Sequence, residues 1–342
     1  MIDWISLLHT LTSVPGISGH EDIIAAHMAE SFRPYADEVG IDPIFNVIAR
    51  IGSGQGKKIA VCAHIDTIGM MVKSASANGV RVVRIGGINY KALPGTPVRL
   101  HTSAGDIVGV VDVRSAHQAR PGDEAVRTDD EIWIYTGANA SGIEITTPIS
   151  YAPQLLSLAN GFVVSPYLDD RAGCAVLVAL AERLKQNPSP HTVYLIGTVQ
   201  EETNAIAAQA ALSAVQPDLA LFVDGTVSYD TPETAGRGET RLGGGAVLTA
   251  FLYISGIGSW HAHPRLRQRL KAIAGREGIQ FQQDAVHGLM ADSRAAIPLA
   301  IPSAVIGLPM RGKHSPAEVI NTADLDSALG LLHAALLDPM EL

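Results

Sequence analysis

Hydrophobic positions follow three textures along this chain, and each predicts a different kind of element. Residues 1–35 carry apolar residues at helical spacing, broken by VPGISGHED, where Ser18, Glu21 and Asp22 have the look of a helix start. KKIAVCAHID at 57–66 is a short apolar run with polar ends and reads as a buried strand. From about 73 to 160, short β-branched runs (VRVVRI, PVRLHT, DIVGVVDV, EIWIYT) alternate with Gly, Pro and Asn turns, and no helical period returns until after Pro153. That stretch predicts a small all-β barrel or sandwich. Beyond 161 the strand runs HTVYLIGTVQ, DLALFVD and SAVIGLPM alternate with helical stretches, among them a buried helix over Asp170–Gln186.

Alternation of that kind predicts an α/β fold, a mostly parallel central sheet covered by helices on both faces. The simplest organisation is one α/β domain built from residues 1–72 and 161–342, interrupted by an inserted β domain at 73–160.

Composition narrows the function classes. The 342 residues are 47% hydrophobic, enough for a large core in one or two domains. Only two cysteines occur, Cys62 and Cys174, each inside an apolar run. They predict buried thiols and a reducing compartment rather than a disulfide framework. A formal charge of −9 with no basic cluster argues against nucleic acid, and RLRQRLK at 265–271 reads as one face of an amphipathic helix. The amino-terminal residues do not read as a signal peptide, and no uninterrupted apolar stretch has the length of a membrane span, so a cytoplasmic protein is expected.

In open α/β sheets ligands bind beyond the carboxyl ends of the strands, and here those ends are rich in metal-binding side chains. Ala63-His64-Ile65-Asp66 follows KIAVC, Gln200-Glu201-Glu202 follows the LIGTV strand, Asp224 follows LALFV, and His314 follows AVIGLP. Asp169-Asp170 stands just before the buried helix. Two imidazoles (His64, His314) and three carboxylates (Asp169, Glu202, Asp224) suit two zinc-like ions, provided that one carboxylate bridges. Asp66 is spaced to accept the second imidazole N–H of His64. Glu201 is left as general base, because neighbouring residues of a strand point to opposite sides.

These residues lie in motifs that resemble the TET-type aminopeptidases, a family that includes glutamyl aminopeptidases and members labelled cellulases. The resemblance runs from VPGISGHE through AHIDTIGMMV (63–72), GGINYKALPGTPVRL (86–100), WIYTGA (133–138), LDDRAGCAV (168–176), VQEE (199–202), VDGT (223–226) and YDTP (229–232) to KHSPAEVI (313–320). It implies an α/β peptidase fold with an inserted β-barrel and cleavage of amino-terminal residues from short peptides. Two divalent ions per subunit are implied, zinc or cobalt, with manganese as a further candidate. His64, Asp169 and Asp224 would hold one ion, and Asp169, Glu202 and His314 the other, with Asp169 the bridge. Asp66 would support His64, Glu201 would be the base, and the Asp169–Asp170 peptide bond would be cis. A homo-oligomeric shell of twelve subunits is implied as well.

The chain departs from the family pattern at Thr67, where glutamate is usual, at TNAIAAQAA (203–211) in place of a glycine-rich run, and at MADSRAA (290–296), where Asp292 loosely matches a family aspartate. The departures spare the metal ligands and the base and bear on the substrate pocket. The rival readings are a metal-dependent deacylase or amidase acting on N-acyl amino acids, and a non-catalytic metal-binding paralogue that forms shells. His261-Ala262-His263 and His287 are read as decoys, and His9, His20, His27, His101, His117, His191 and His333 as structural or surface residues.

Overall fold

The computed structural model describes residues 2–52, 54–115, 117–118 and 128–342; positions 119–127, within the expected inserted domain, lie outside them. Helix α1 (Trp4–Ser13) begins where Asp3 accepts the Ser6 N–H at 3.0 Å, and α2 (Asp22–Phe32) follows the predicted break. Strands β1 (Glu38–Ile41), β2 (Val47–Ile51) and β3 (Lys58–His64) come next. Six strands then close into an antiparallel barrel: β4 (Gly69–Ser76), β5 (Gly79–Ile85), β6 (Pro97–Thr102), β7 (Gly105–Val111), β8 (Trp133–Tyr135) and β9 (Pro148–Tyr151). Its order is β4-β5-β8-β7-β6-β9, and closure brings Met70 of the first strand opposite Ile149 of the last. Val72, Val82, Val98, Leu100, Ile134 and Ile149 fill the interior. Closure removes the exposed edges that an open sheet of these strands would present.

The chain then returns to the α/β unit through β10 (Leu156–Ser157), β11 (Phe162–Ser165), α3 (Leu168–Gln186), β12 (Thr192–Thr198), α4 (Glu201–Asn204) and α5 (Ala208–Val215). It continues through β13 (Leu219–Val227), β14 (Ala246–Ile254), β15 (Gly258–His261), α6 (Pro264–Glu277), β16 (Phe281–His287), β17 (Ser303–Met310), β18 (Glu318–Asn321) and α7 (Thr322–Leu337). Among the described residues the central sheet runs β1-β2-β12-β3-β13-β17-β14-β15, with β16 on β14. Strands β12, β3, β13 and β17 are mutually parallel, as the apolar runs predict.

Alternation along β3 divides the core between two faces. Ile59, Val61 and Ala63 meet the layer formed by α1, α2, α3, α6 and α7, whereas Ala60 and Cys62 meet α5 and the 3-10 helix Asp292–Leu299. Both cysteines are buried and free. The basic run at 265–271 is the outer face of α6, whose Leu266, Leu270, Ile273 and Ala274 point inward. No helix among the described residues is long and apolar enough to cross a membrane.

Two local expectations fail. Asp224 lies inside β13 rather than after it, paired with Gly307, and Glu201 and Glu202 do not end a strand. Strand β12 stops at Thr198, Gln200 adopts a left-handed conformation (φ 54°), and the two glutamates open the single-turn helix α4. Strand alternation therefore does not separate their side chains; the turn does.

Candidate metal centre

Parallel pairing aligns the ends of neighbouring strands, and Thr198 of β12 lies opposite His64 of β3. The segments that follow these strands, together with β13 and the start of α3, meet at one end of the sheet. The peptide bond between Asp169 and Asp170 is cis, as the resemblance implies, and it precedes the regular part of α3. One ligand atom each from His64, Asp169 and Glu202 lies within 4.8 Å of the others. His64 Nε2 is 3.6 Å from Asp169 Oδ1, and His314 Nε2 is 3.3 Å from Asp169 Oδ2 and 3.2 Å from Glu202 Oε2. Asp169 thus stands between the two imidazoles, the position required of a bridge. Asp224 joins the group differently: its Oδ1 is 3.4 Å from the Lys313 ammonium, which also lies 3.0 Å from Asp169 Oδ2.

Both imidazoles are oriented by backbone. His64 Nδ1 lies 3.1 Å from the carbonyl oxygen of Asp66, and His314 Nδ1 lies 2.9 Å from that of Gly87. A carbonyl can only accept, so each Nδ1 carries the hydrogen and each Nε2 faces the carboxylates. Gly87 is a requirement of this packing, since a Cβ there would come within 2.8 Å of His314 Nδ1.

The Asp66 carboxylate has a larger task than supporting His64. It is 3.5 Å from His64 Nδ1, but it accepts the Glu201 N–H at 3.0 Å and the Glu202 N–H at 3.1 Å. Two more buried acceptors hold the same corner: Glu21 takes the Gln200 N–H at 3.1 Å and Asn46 takes the Val199 N–H at 3.1 Å. Four consecutive amides, which the single turn of α4 leaves without backbone partners, are thereby satisfied. Sequence reasoning missed Glu21 and Asn46, and it missed Glu318, whose carboxylate accepts the N–H groups of Asp169 (3.0 Å) and His314 (2.7 Å). Glu318 sits within the KHSPAEVI motif, which is the one signal that could have found it.

The electrostatics are those of a site with surplus negative charge. Burial opposes charge on His314, yet Glu202 and Asp169 push its pKa up to about 11, and Asp169 and Asp66 likewise hold His64 well above the usual histidine range. Burial raises Asp224, Asp292 (to about 7) and Glu318 (to about 8), and it lifts Glu201 well above an ordinary glutamate. His64 Nε2, Asp169 Oδ1 and Glu202 Oε1 are buried without hydrogen-bond partners, and Asp169 Oδ2 has only its ion-pair contacts with Lys313 and His314. Buried acceptors of that kind are rare unless an ion completes them. The donor set, imidazole nitrogen with carboxylate oxygen, fits divalent zinc-like ions.

The decoys stand apart from this cluster. His261 packs its ring against Phe251, His263 caps α6 through Nδ1, and His287 meets the rings of Phe251 and Tyr253 at a tilt. His191 is buried and accepts the Lys57 N–H. Asp292 is buried beside Thr198, whose hydroxyl donates to it.

A family model for the M42 glutamyl aminopeptidases matches residues 46–331. The chain belongs to that family. It is 31% identical to the lysyl aminopeptidase of Pyrococcus furiosus, over 100% of this chain and 99% of that protein. Aminopeptidase APDkam598 from the archaeon Desulfurococcus kamchatkensis superposes with a TM-score of 0.91 at 29% identity, covering 98% of this chain and 94% of that one. The TET aminopeptidase of a marine sediment thaumarchaeote gives a TM-score of 0.89 at 26% identity, covering 97% and 95%. This M42 chain is accordingly a hydrolase with aminopeptidase activity on peptides, in a family of metallopeptidases.

Proposed function

We propose that this M42 chain removes amino-terminal residues from short peptides with two divalent ions, zinc or cobalt, held by His64, Asp169 and Asp224 on one side and by Asp169, Glu202 and His314 on the other. The observation that carries this reading is the convergence of buried, unpartnered ligand atoms on His64, Asp169 and Glu202. When bound, such ions polarise a carbonyl and acidify water. The chain supplies the rest. Glu201 Oε2 lies 3.9 Å from His64 Nε2, with its side chain only 10% exposed. Burial favours its proton-bearing form, which suits a base that must hold a proton and return it. Glu201 takes the proton of the attacking water and hands it to the departing amine. Asp66, Glu21 and Asn46 keep the Glu201–Glu202 corner in register while this happens.

The test combines metal analysis of the purified protein with a panel of aminoacyl chromogenic substrates and N-acyl amino acids. Activity that requires a free amine supports the aminopeptidase reading over the deacylase rival. Glu201→Gln should lower kcat by roughly 10²–10⁴-fold while both ions stay bound. Near-normal turnover removes Glu201 from the mechanism, and inactivity of the wild type on every substrate with zinc, cobalt and manganese favours the non-catalytic rival.

The same reading divides the chain into a catalytic unit and an inserted barrel, expected at 73–160, whose strands begin with β4 at Gly69 and end with β9 at Tyr151, and it includes a cytoplasmic homo-oligomer with twelve subunits. Support for assembly comes from Val108, Val110 and Tyr135, exposed apolar side chains on the adjacent strands β7 and β8. Contiguous exposed apolar surface of this kind marks contact with another protein surface. Light scattering gives the mass that decides it.

A further inference from the structure

The two sides of the cradle are not equivalent, and Lys313 makes the difference. This residue precedes His314, whose left-handed backbone (φ 64°) turns the chain at the mouth of the site. Its side chain is only 11% exposed. Its ammonium makes three contacts, 3.0 Å to Asp169 Oδ2, 3.4 Å to Asp224 Oδ1 and 2.9 Å to the carbonyl oxygen of Gly225. The contacts with Asp224 and Gly225 are hydrogen bonds, and the one with Asp169 is an ion pair. A compact cation of this chain therefore already lies between the two carboxylates assigned to the His64 side. Around the His314 side, Glu202 and Asp169 Oδ2 face an imidazole that can act as a ligand. On the His64 side the Asp224 carboxylate is engaged by lysine, which cannot ligate a cation while it is protonated.

We propose that Lys313 is a built-in competitor for the metal position bounded by His64, Asp169 and Asp224, so that one ion binds tightly beside Glu202 and His314 and the second binds only by displacing the lysine. The inference rests on the two-ion reading and adds an order and an inequality to it. Asp169 Oδ2 faces both His314 and the ammonium, so the first ion takes that contact from Lys313 but leaves those with Asp224 and the Gly225 carbonyl. The second ion must take Asp224, and the ammonium must then leave these two remaining oxygens. Its cost to the second affinity is on the order of 100-fold, the scale of losing charge-assisted hydrogen bonds that are partly replaced by water. Lys313 would thereby let metal supply decide between a singly loaded and a doubly loaded enzyme.

The experiment uses the full chain stripped with chelator and titrated with Zn²⁺ by calorimetry, with the ions retained after gel filtration counted by elemental analysis. The wild type should show one tight ion and a second roughly 100-fold weaker, so that about one equivalent survives filtration. Lys313→Met keeps the aliphatic stem and removes the cation; its two affinities should fall within a few-fold of each other, and two equivalents should survive. Lys313→Arg keeps a cation and should keep the inequality. Two equally tight ions in the wild type overturn the proposal without reference to any variant, which covers the case of a Lys313→Met protein that does not fold. A wild-type inequality that persists unchanged in a folded Lys313→Met protein overturns it as well. Failure of both proteins to take up any ion overturns the two-ion reading itself, a result distinct from the other two.

Discussion

Replacing Asp66 by alanine should damage turnover far more than it damages the orientation of His64. The carboxylate accepts the Glu201 and Glu202 N–H groups at 3.0 and 3.1 Å, and each bond to a charged acceptor is worth about 1.5–3 kcal/mol. The ceiling for losing both is therefore about 3–6 kcal/mol. Not all of it will be felt, because Glu21 still holds the Gln200 N–H and Asn46 the Val199 N–H. Half of the upper ceiling, about 3 kcal/mol, corresponds to roughly a hundredfold in kcat if the corner must be restored before Glu201 can act. His64 should keep its tautomer, because the closer partner of its Nδ1 is the backbone carbonyl of Asp66 at 3.1 Å, which alanine retains. Asp66→Asn should fall between, since one amide oxygen can serve only one of the two N–H groups well. The assay is steady-state hydrolysis of an aminoacyl p-nitroanilide with and without added metal, with bound metal counted in parallel. A kcat for Asp66→Ala within about threefold of wild type would refute the corner argument. Turnover that recovers fully with excess metal would show that the carboxylate acts through His64 after all.

Three further substitutions test other parts of the structure. Gly87→Ala would bring a Cβ within 2.8 Å of His314 Nδ1, and displacing that ring should weaken metal retention and lower activity by about 10²-fold; wild-type metal content in dialysed protein would contradict this. Glu318→Ala leaves the buried N–H groups of Asp169 and His314 without their acceptor, and at about 1–3 kcal/mol each it should cost about 2–6 kcal/mol in denaturant unfolding; an unchanged midpoint would mean that water takes over. Asp230 is raised by burial but brought down to about 2 by the two-point Arg311 pair, each contact 2.8 Å. Its folded pKa lies below the unfolded value near 3.9, so its contribution is present above pH ~4 and is lost as pH falls toward 2. The pair is partly exposed, and about 1 kcal/mol remains after solvent screening; the stability gap between wild type and Asp230→Asn should close as pH falls from about 4 to about 2, and a gap independent of pH would remove the ion pair as its cause.

Much of the α/β frame was legible because its signals are local and periodic. IAVC, LALFV and AVIGLPM are apolar throughout, which only strands covered on both faces can use, and each lies in a parallel strand of the sheet. The β-branched runs between 80 and 136 closed into the barrel for the same reason. The corner at Gln200 was not legible. Its left-handed conformation is unusual for a residue with a side chain, and the acceptors that stabilise it come from Glu21, Asn46 and Asp66, up to 179 residues away in sequence. No window along the chain contains that information. Glu318 and Lys313 were hidden in another way. Both lie in a motif read for its histidine, and a glutamate near the start of a strand or a lysine in a turn is ordinarily a solvated side chain. Only tertiary structure brings Glu318 beneath two ligand amides and Lys313 between two carboxylates.

The same tertiary dependence explains why the barrel and the centre are coupled. The carbonyl that fixes the His314 ring belongs to Gly87, just beyond barrel strand β5, while the imidazole belongs to the segment between β17 and β18. Neighbouring Gly86 has a left-handed φ of 77°, and a Cβ there would press on Ile68 at 2.7 Å and approach the Glu202 carbonyl at 3.4 Å. Both glycines are therefore set by the proximity of the inserted β segment to two proposed ligands. A shift of β5 by one residue would move the Gly87 carbonyl about 3 Å, enough to break its bond to His314. The insertion thus does more than wall the site: its register helps to determine which nitrogen of His314 faces Asp169 and Glu202.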